Sequence, residues 1–126
     1  MNWTLAVIVI VFLAALMVTR ALGNLREEDA LRYLEEGAIV IDVRTEAEYA
    51  GKSIDGVVNL PLHKLADEIE GIVPDKNRVV LLHCRSGSRS GRGAGILKTL
   101  GYENAYNLGA FGHAAKVLRS ASKSTD

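Results

Sequence analysis

Cys84 is the only cysteine in the 126-residue chain, and it stands where an apolar run meets a run rich in Gly and Ser. Val79-Val80-Leu81-Leu82 reads as a buried strand, Arg85 to Gly91 as a loop, and Arg92 to Leu100 as a helix. A loop that opens a helix turns backbone N–H groups toward one point, and the helix dipole adds partial positive charge there. Arg85, Arg89 and Arg92 add full charges nearby. Such a cradle stabilises an anion, so it lowers the pKa of a thiol and raises its thiolate fraction. Gly87 lets the backbone turn without a Cβ penalty, and Ser86, Ser88 and Ser90 offer hydroxyl donors. A nucleophilic sulfur in an anion cradle suits attack on an electrophilic sulfur or phosphorus. A lone cysteine at a strand end can also be a small buried apolar residue. That reading needs the arginines, the glycines and the helix start to fall beside it by coincidence.

The elements that must position Cys84 follow from pattern. Ala38 to Val43 is a near-continuous apolar run, the mark of a parallel strand covered on both faces. Asp42 interrupts it near its carboxyl end, where open α/β sheets place their sites. Thr45-Glu46-Ala47-Glu48 is a capping box that opens a short helix. Asn24 with Glu27 suggests another, with Leu25, Ala30, Leu31 and Leu34 as its apolar stripe and Gly37 as its end. Val57 to Leu60 reads as a short strand ended by Pro61, and His63 to Glu70 as a helix. His83 and Cys84 are neighbours on a strand and point to opposite faces, so His83 is not expected to be a general base. Gly91, Gly93 and Gly95 weaken a helix, which predicts close packing on the sheet. Tyr102 to Leu108 is the last strand, 109–112 a turn, 112–119 a final helix and 120–126 a frayed tail.

The run Cys84-Arg85-Ser86-Gly87-Ser88-Arg89-Ser90 resembles the active-site loop of the rhodanese family, a C-R-S-G-x-R-S pattern. Asp42-Val43-Arg44, Glu48-Tyr49, Ile54 to Pro61, Leu100-Gly101-Tyr102 and Tyr106-Asn107-Leu108-Gly109 resemble further segments of that family, in the family's order. The resemblance covers about residues 25–118. It implies an α/β, rhodanese-like three-layer domain with a mainly parallel central sheet over residues 24–119. It also implies a sulfurtransferase in which Cys84 attacks the outer sulfur of a donor such as thiosulfate, becomes a persulfide and passes the sulfur to a thiol or cyanide. Arg85, Ser86, Gly87, Ser88, Arg89 and Ser90 would bind substrate, with an inward-facing Arg89 that braces the loop beside an exposed Arg85 as the alternative, and Asp42 and Arg44 would support the site. From the residues alone, Asp42 and Arg44 read as an ion pair with Glu48 or the 84–90 loop. Where the family often has a histidine stands Ser53, and where it has a second glycine and a tryptophan stand Ala110 and Ala115. Cysteine phosphatases, the less favoured alternative, place their arginine six positions after the cysteine. Here Arg89 comes five positions after Cys84, and position 90 is serine. A non-enzymatic alternative is a tethered persulfide carrier with little turnover.

Composition narrows the field. Fifteen basic and fifteen acidic residues cancel, which argues against nucleic-acid binding through bulk charge. One cysteine excludes an internal disulfide, and His63, His83 and His113 lack metal-ligand spacing. No metal or cofactor is expected. Residues 1–19 carry no charged side chain, and Trp3 to Val18 is almost wholly apolar. A membrane anchor over residues 3–22, a secretory signal peptide and a buried helix compete for this segment. The anchor is carried forward, because a signal peptide usually has a basic residue before its apolar run. Arg20 and Arg26 on the C-terminal flank then place the domain in the cytoplasm, on a single-pass, bacterial-type inner membrane. The periplasmic orientation is the alternative. A short linker would hold the domain near the membrane and a membrane-protein partner.

Overall fold

Four strands pair in parallel in the order Val58–Asn59, Ile39–Asp42, Val80–Cys84 and Ala105–Ala110, and helices cover both faces of the sheet. The computed structural model describes residues 2–21 and 24–124. The chain runs α1 (Trp3–Ala21), α2 (Glu27–Glu35), β1 (Ile39–Asp42), α3 (Glu46–Gly51), β2 (Val58–Asn59), α4 (Leu62–Ile72), β3 (Val80–Cys84), α5 (Ser88–Thr99), β4 (Ala105–Ala110) and α6 (Phe111–Ser124). Every residue of β3 is buried, as a central parallel strand requires. The pleat divides its side chains. Val80, Leu82 and Cys84 join Leu65 and Ile69 of α4 and Leu97 of α5 on one face. Leu81 joins Ala30 of α2 and Ala114 and Val117 of α6 on the other. This is the expected three-layer arrangement.

Local signals explain most boundaries. The Thr45–Glu48 capping box is present in full. Gly37 takes φ +97° just past α2, a left-handed conformation that costs glycine little. Gly93 is the small residue that lets α5 sit on the sheet. A Cβ there would lie 3.1 Å from Leu82 and 3.2 Å from Leu65. A Cβ at Gly91 would meet Asn107 at 3.1 Å, whereas Gly95 faces open space, so the close-packing expectation holds for two of the three glycines.

Other boundaries differ from expectation. Asn24 does not cap α2; the N-cap is Arg26 and makes no side-chain cap. Leu25 instead donates its N–H to the Asn107 carbonyl at 2.8 Å, which seats this segment against β4. Helix α4 begins at Leu62, with Pro61 rather than His63 as its cap. Helix α5 begins four residues early, at Ser88 rather than Arg92, because Gly87 turns the chain at φ +94°. There is no turn over 109–112. Gly109 and Ala110 belong to β4, and α6 starts at Phe111 and continues through the supposed tail to Ser124.

Helix α1 forms as the apolar run suggests, and its described side chains from Asn2 to Met17 are all exposed. Among the described residues, however, no helix is long and apolar enough to cross a membrane. Its 19 residues rise about 28 Å, slightly less than the roughly 30 Å hydrocarbon core, and Arg20 falls inside that length. The expected transmembrane assignment is therefore not supported. Residue 22, the expected end of the anchor, lies outside the described residues.

Candidate active site

Among the described residues, the buried polar ones are Asp42, Arg44, His83, Ser90 and Asn107. Asp42, Arg44 and His83 lie at or just beyond the carboxyl ends of β1 and β3, Ser90 in the helix that follows β3, and Asn107 in the middle of β4. Burying polar groups costs free energy unless they are hydrogen-bonded, so each partner here is informative.

Cys84 is the last residue of β3 and is fully buried. The loop that leaves it is pinned to the start of α6, because the Phe111 N–H donates to the Arg85 carbonyl at 3.3 Å. Gly87 then takes its left-handed turn, which aims its N–H at Cys84 Sγ, 3.0 Å away. In the first turn of α5, the Ser90 N–H and the Ser90 Oγ each lie 3.4 Å from the same sulfur. Burial pushes the Cys84 thiol up. The Ser90 hydroxyl and the N–H groups of Ser90, Gly87 and Ser86 pull it down, and the net result is below the ordinary value. The cradle works chiefly through these local donors. Attraction between the Cys84 thiolate and the Arg89 guanidinium is felt at Arg89, where, behind the hydrogen bond to Glu48, it helps to raise the pKa.

Ser90 has one hydroxyl proton for several acceptors. Its Oγ lies 2.7 Å from Asn107 Oδ1 and 3.1 Å from the Gly87 carbonyl, as well as near the sulfur. Asn107 is the brace beneath the loop, and the sequence reading did not assign it a role. Its Nδ2 donates to the Gly87 carbonyl at 3.0 Å, and its Oδ1 accepts the Gly109 N–H at 2.9 Å. A register shift between β3 and β4 sets this up, since Leu82 pairs with Asn107 but His83 pairs with Gly109. The signal available in the sequence was a polar residue inside an otherwise apolar strand.

The arginines divide by role. Arg89 Nη1 and Nη2 meet Glu48 Oε1 and Oε2 at 2.7 and 3.0 Å. This fork ties the first turn of α5 to α3 and holds the Glu48 carboxyl at about 2, with Arg89 as the main cause. Of the two roles open to Arg89 in the sequence, anion binding and bracing the loop, the Glu48 fork matches the brace. Asp42 and Arg44 pair with each other. Asp42 Oδ2 accepts from Arg44 Nη2 at 2.7 Å, and Oδ1 accepts the Arg44 N–H at 2.8 Å. Arg44 Nη2 also donates to the Lys52 carbonyl at 2.6 Å, which fixes the end of α3. Arg85, Ser86 and Ser88 are exposed at the mouth, and Arg85 forms no ion pair among the described residues.

His83 lies on the opposite face from the core that holds Cys84, edge-on to Phe111 with ring centroids 5.8 Å apart. Burial lowers its pKa and Asp42 raises it, with a net fall. Nδ1 is 3.4 Å from the Cys84 carbonyl, while Nε2 has no hydrogen-bond partner. It does not reach the sulfur. Among the described residues, no group of three or more His, Cys, Asp or Glu could hold a metal ion.

The family profile described as the rhodanese-like domain matches residues 27–111. The chain is 38% identical over 69 residues to the Escherichia coli thiosulfate sulfurtransferase PspE; the match covers 55% of this chain and 66% of that protein, just under two thirds of its length. It is 33% identical over 103 residues to the Bacillus subtilis protein YqhL, covering 82% of this chain and 80% of that one. Among solved structures, it is similar to an E. coli rhodanese with anions, with TM-score 0.59, 34% identity, and coverage of 61% of this chain and 91% of that one.

Proposed function

The chain belongs to the rhodanese-like domain family, and on that premise we propose that it is a thiosulfate sulfurtransferase working through a Cys84 persulfide. The observation that carries this reading is the convergence of the Gly87 N–H, the Ser90 N–H and the Ser90 hydroxyl on one sulfur. Cys84 thiolate attacks the outer sulfur of thiosulfate. A new S–S bond forms, the donor's S–S bond breaks, and sulfite leaves with the electron pair. The negative outer sulfur of the persulfide then sits among donors already oriented for it, so little reorganisation is needed. Arg85, exposed and unpaired with any described carboxylate, attracts the dianionic donor. Cyanide or a thiolate next attacks the outer sulfur, and the pair from the broken S–S bond returns to Cys84.

The test is thiocyanate formation from thiosulfate and cyanide. The full chain should turn over, Cys84→Ser should not, and Arg85→Ala should raise the KM for thiosulfate. The complete burial of Cys84 favours a second reading, a persulfide carrier that discharges only to a partner. That reading is supported by a stable persulfide with negligible thiocyanate turnover.

Taking the basic flank of Arg20 and Arg26 to set the catalytic domain on the cytoplasmic side, we further infer that α1 attaches the domain to a lipid bilayer. This is supported by the exposed apolar side chains from Trp3 to Met17, including Trp3 at 82%, Phe12 at 63% and Met17 at 73%. A helix apolar all round is covered by protein or by lipid in its working state. Co-sedimentation of the full chain with phosphatidylcholine vesicles tests it; a chain that stays in the supernatant refutes it.

A further inference from the structure

Beside the mouth of the site lies a cleft of about 430 Å³ whose walls include Arg44, Glu48, Lys52, Arg85 and Phe111. Two of its charges are already matched: Arg44 pairs with Asp42, and Glu48 pairs with Arg89. Lys52 and Arg85 are exposed and form no ion pair among the described residues, so the cleft carries two uncompensated positive charges. Phe111 forms its apolar wall. The Arg44 guanidinium covers its ring at 4.8 Å, and the Lys52 ammonium at 5.3 Å. Cys84 does not line this space. The cleft is thus placed to hold the far end of a molecule whose sulfur is at the loop.

A second cleft, of about 510 Å³, shares Lys52 and Phe111 and continues along α6 past Ala115 to Arg119. Ala115 is small, which leaves the room a bulky side chain would fill. Arg119 is exposed and also forms no ion pair among the described residues, while Asp55 is the one acidic side chain in the lining. Along the groove the cations are Arg85 at the loop, Lys52 at the junction and Arg119 beyond it. Thiosulfate is far smaller than this space.

We propose that the Arg85–Lys52–Arg119 groove binds the carboxylate-bearing tail of a peptide-sized thiol, the acceptor of the sulfur. This rests on the sulfurtransfer reading above and names the substrate class of that site. Lys52 and Arg119 act as positioning residues. They hold the acceptor carboxylates while its thiolate attacks the outer sulfur of the persulfide. The acceptor–sulfur bond forms, the Cys84–sulfur bond breaks, and Cys84 leaves as thiolate.

The experiment uses the full chain in detergent micelles and glutathione as the probe. With thiosulfate as donor, kcat/KM should be about tenfold higher for glutathione than for cysteamine, a cationic thiol, and the preference should shrink with added salt. Lys52→Glu should raise the KM for glutathione about two- to fivefold or more with kcat little changed, and Arg119→Glu should act in the same direction. Titration with S-methylglutathione, which cannot accept sulfur, should show saturable binding weakened by the same variants. Equal kcat/KM for the two thiols, or S-methylglutathione binding that is absent or insensitive to Lys52→Glu, overturns the groove. Intact S-methylglutathione binding in a chain that forms no thiocyanate from cyanide upholds the groove and overturns the sulfurtransfer reading instead.

Discussion

Replacing Ser90 with alanine removes one hydroxyl and little else, because the residue is buried and the methyl group fits where the Cβ already sits. The sulfur keeps the Gly87 N–H at 3.0 Å and the Ser90 N–H at 3.4 Å. A hydrogen bond to a charged group contributes about 1.5–3 kcal/mol. The value here falls at the low end, since Ser90 Oγ is 3.4 Å from the sulfur and only 2.7 Å from the competing Asn107 Oδ1. Losing about 1.5 kcal/mol raises the Cys84 pKa and cuts the thiolate fraction roughly tenfold well below it. Thiolate nucleophilicity rises with basicity, with a Brønsted slope of about 0.4–0.5. Well below the pKa the variant should therefore be alkylated by iodoacetamide only about threefold more slowly, despite a roughly tenfold smaller thiolate fraction. On the alkaline plateau it should react about threefold faster. The two pH–rate profiles should cross. Superimposable profiles would refute the reasoning and leave the Ser90 proton wholly with Asn107.

Three further perturbations follow from named contacts. Asp42→Asn leaves the buried Arg44 guanidinium without its counter-charge, so denaturant unfolding should show a loss of about 3–5 kcal/mol; a loss below 1 kcal/mol would mean that water or another group reaches Arg44. Gly93→Ala forces a Cβ within 3.1 Å of Leu82 and 3.2 Å of Leu65, and the same measurement should register about 1–3 kcal/mol of overpacking. The Glu48 carboxyl ionises at about 2 in the folded chain, against 4.5 ordinarily. A depressed carboxylate stabilises the fold above its unfolded pKa, and that contribution fades as pH falls from about 4.5 toward 2. The pair is about one-third exposed, so screening limits the effect to about 1 kcal/mol. Urea unfolding across that pH range should fall more steeply for the native chain than for Glu48→Gln.

Much of the site was legible because its signals are local. The apolar runs of β1 and β3, the Thr45–Glu48 box and the Gly–Ser loop after Cys84 are read from neighbours in sequence, and the structure has them within a few residues. The errors came from conformations and contacts that neighbours do not determine. Helix α5 starts at Ser88 because Gly87 adopts φ +94°, so Ser90 delivers both its N–H and its hydroxyl from a helical first turn. The neighbours of Arg89 leave anion binding and loop bracing both open, and it is α3 that brings Glu48 beside it. Asn24 looked like a helix cap, yet its amide nitrogen lies 3.0 Å from where a Gly109 Cβ would stand. Asn107 acquires its role from a register shift between two strands, which no single segment encodes. Residues 120–124 extend α6 beyond the expected helix 112–119, and the Ser124 hydroxyl donates to the Ala121 carbonyl at 2.9 Å.

These contacts form one chain of positioning. Asp42 holds Arg44, Arg44 holds the end of α3, α3 presents Glu48, and Glu48 holds Arg89 at the start of α5. Asn107 braces the same loop from β4. The sulfur's donors are thus fixed from both sides, which is what low reorganisation at a reacting anion requires.

The central claim is that Cys84 carries the transferred sulfur. Intact mass of the full chain after thiosulfate, and again after cyanide, tests it most directly. The account predicts a gain of one sulfur atom, lost on cyanide and absent in Cys84→Ser. An unchanged mass after thiosulfate, or a gain that survives Cys84→Ser, would contradict it.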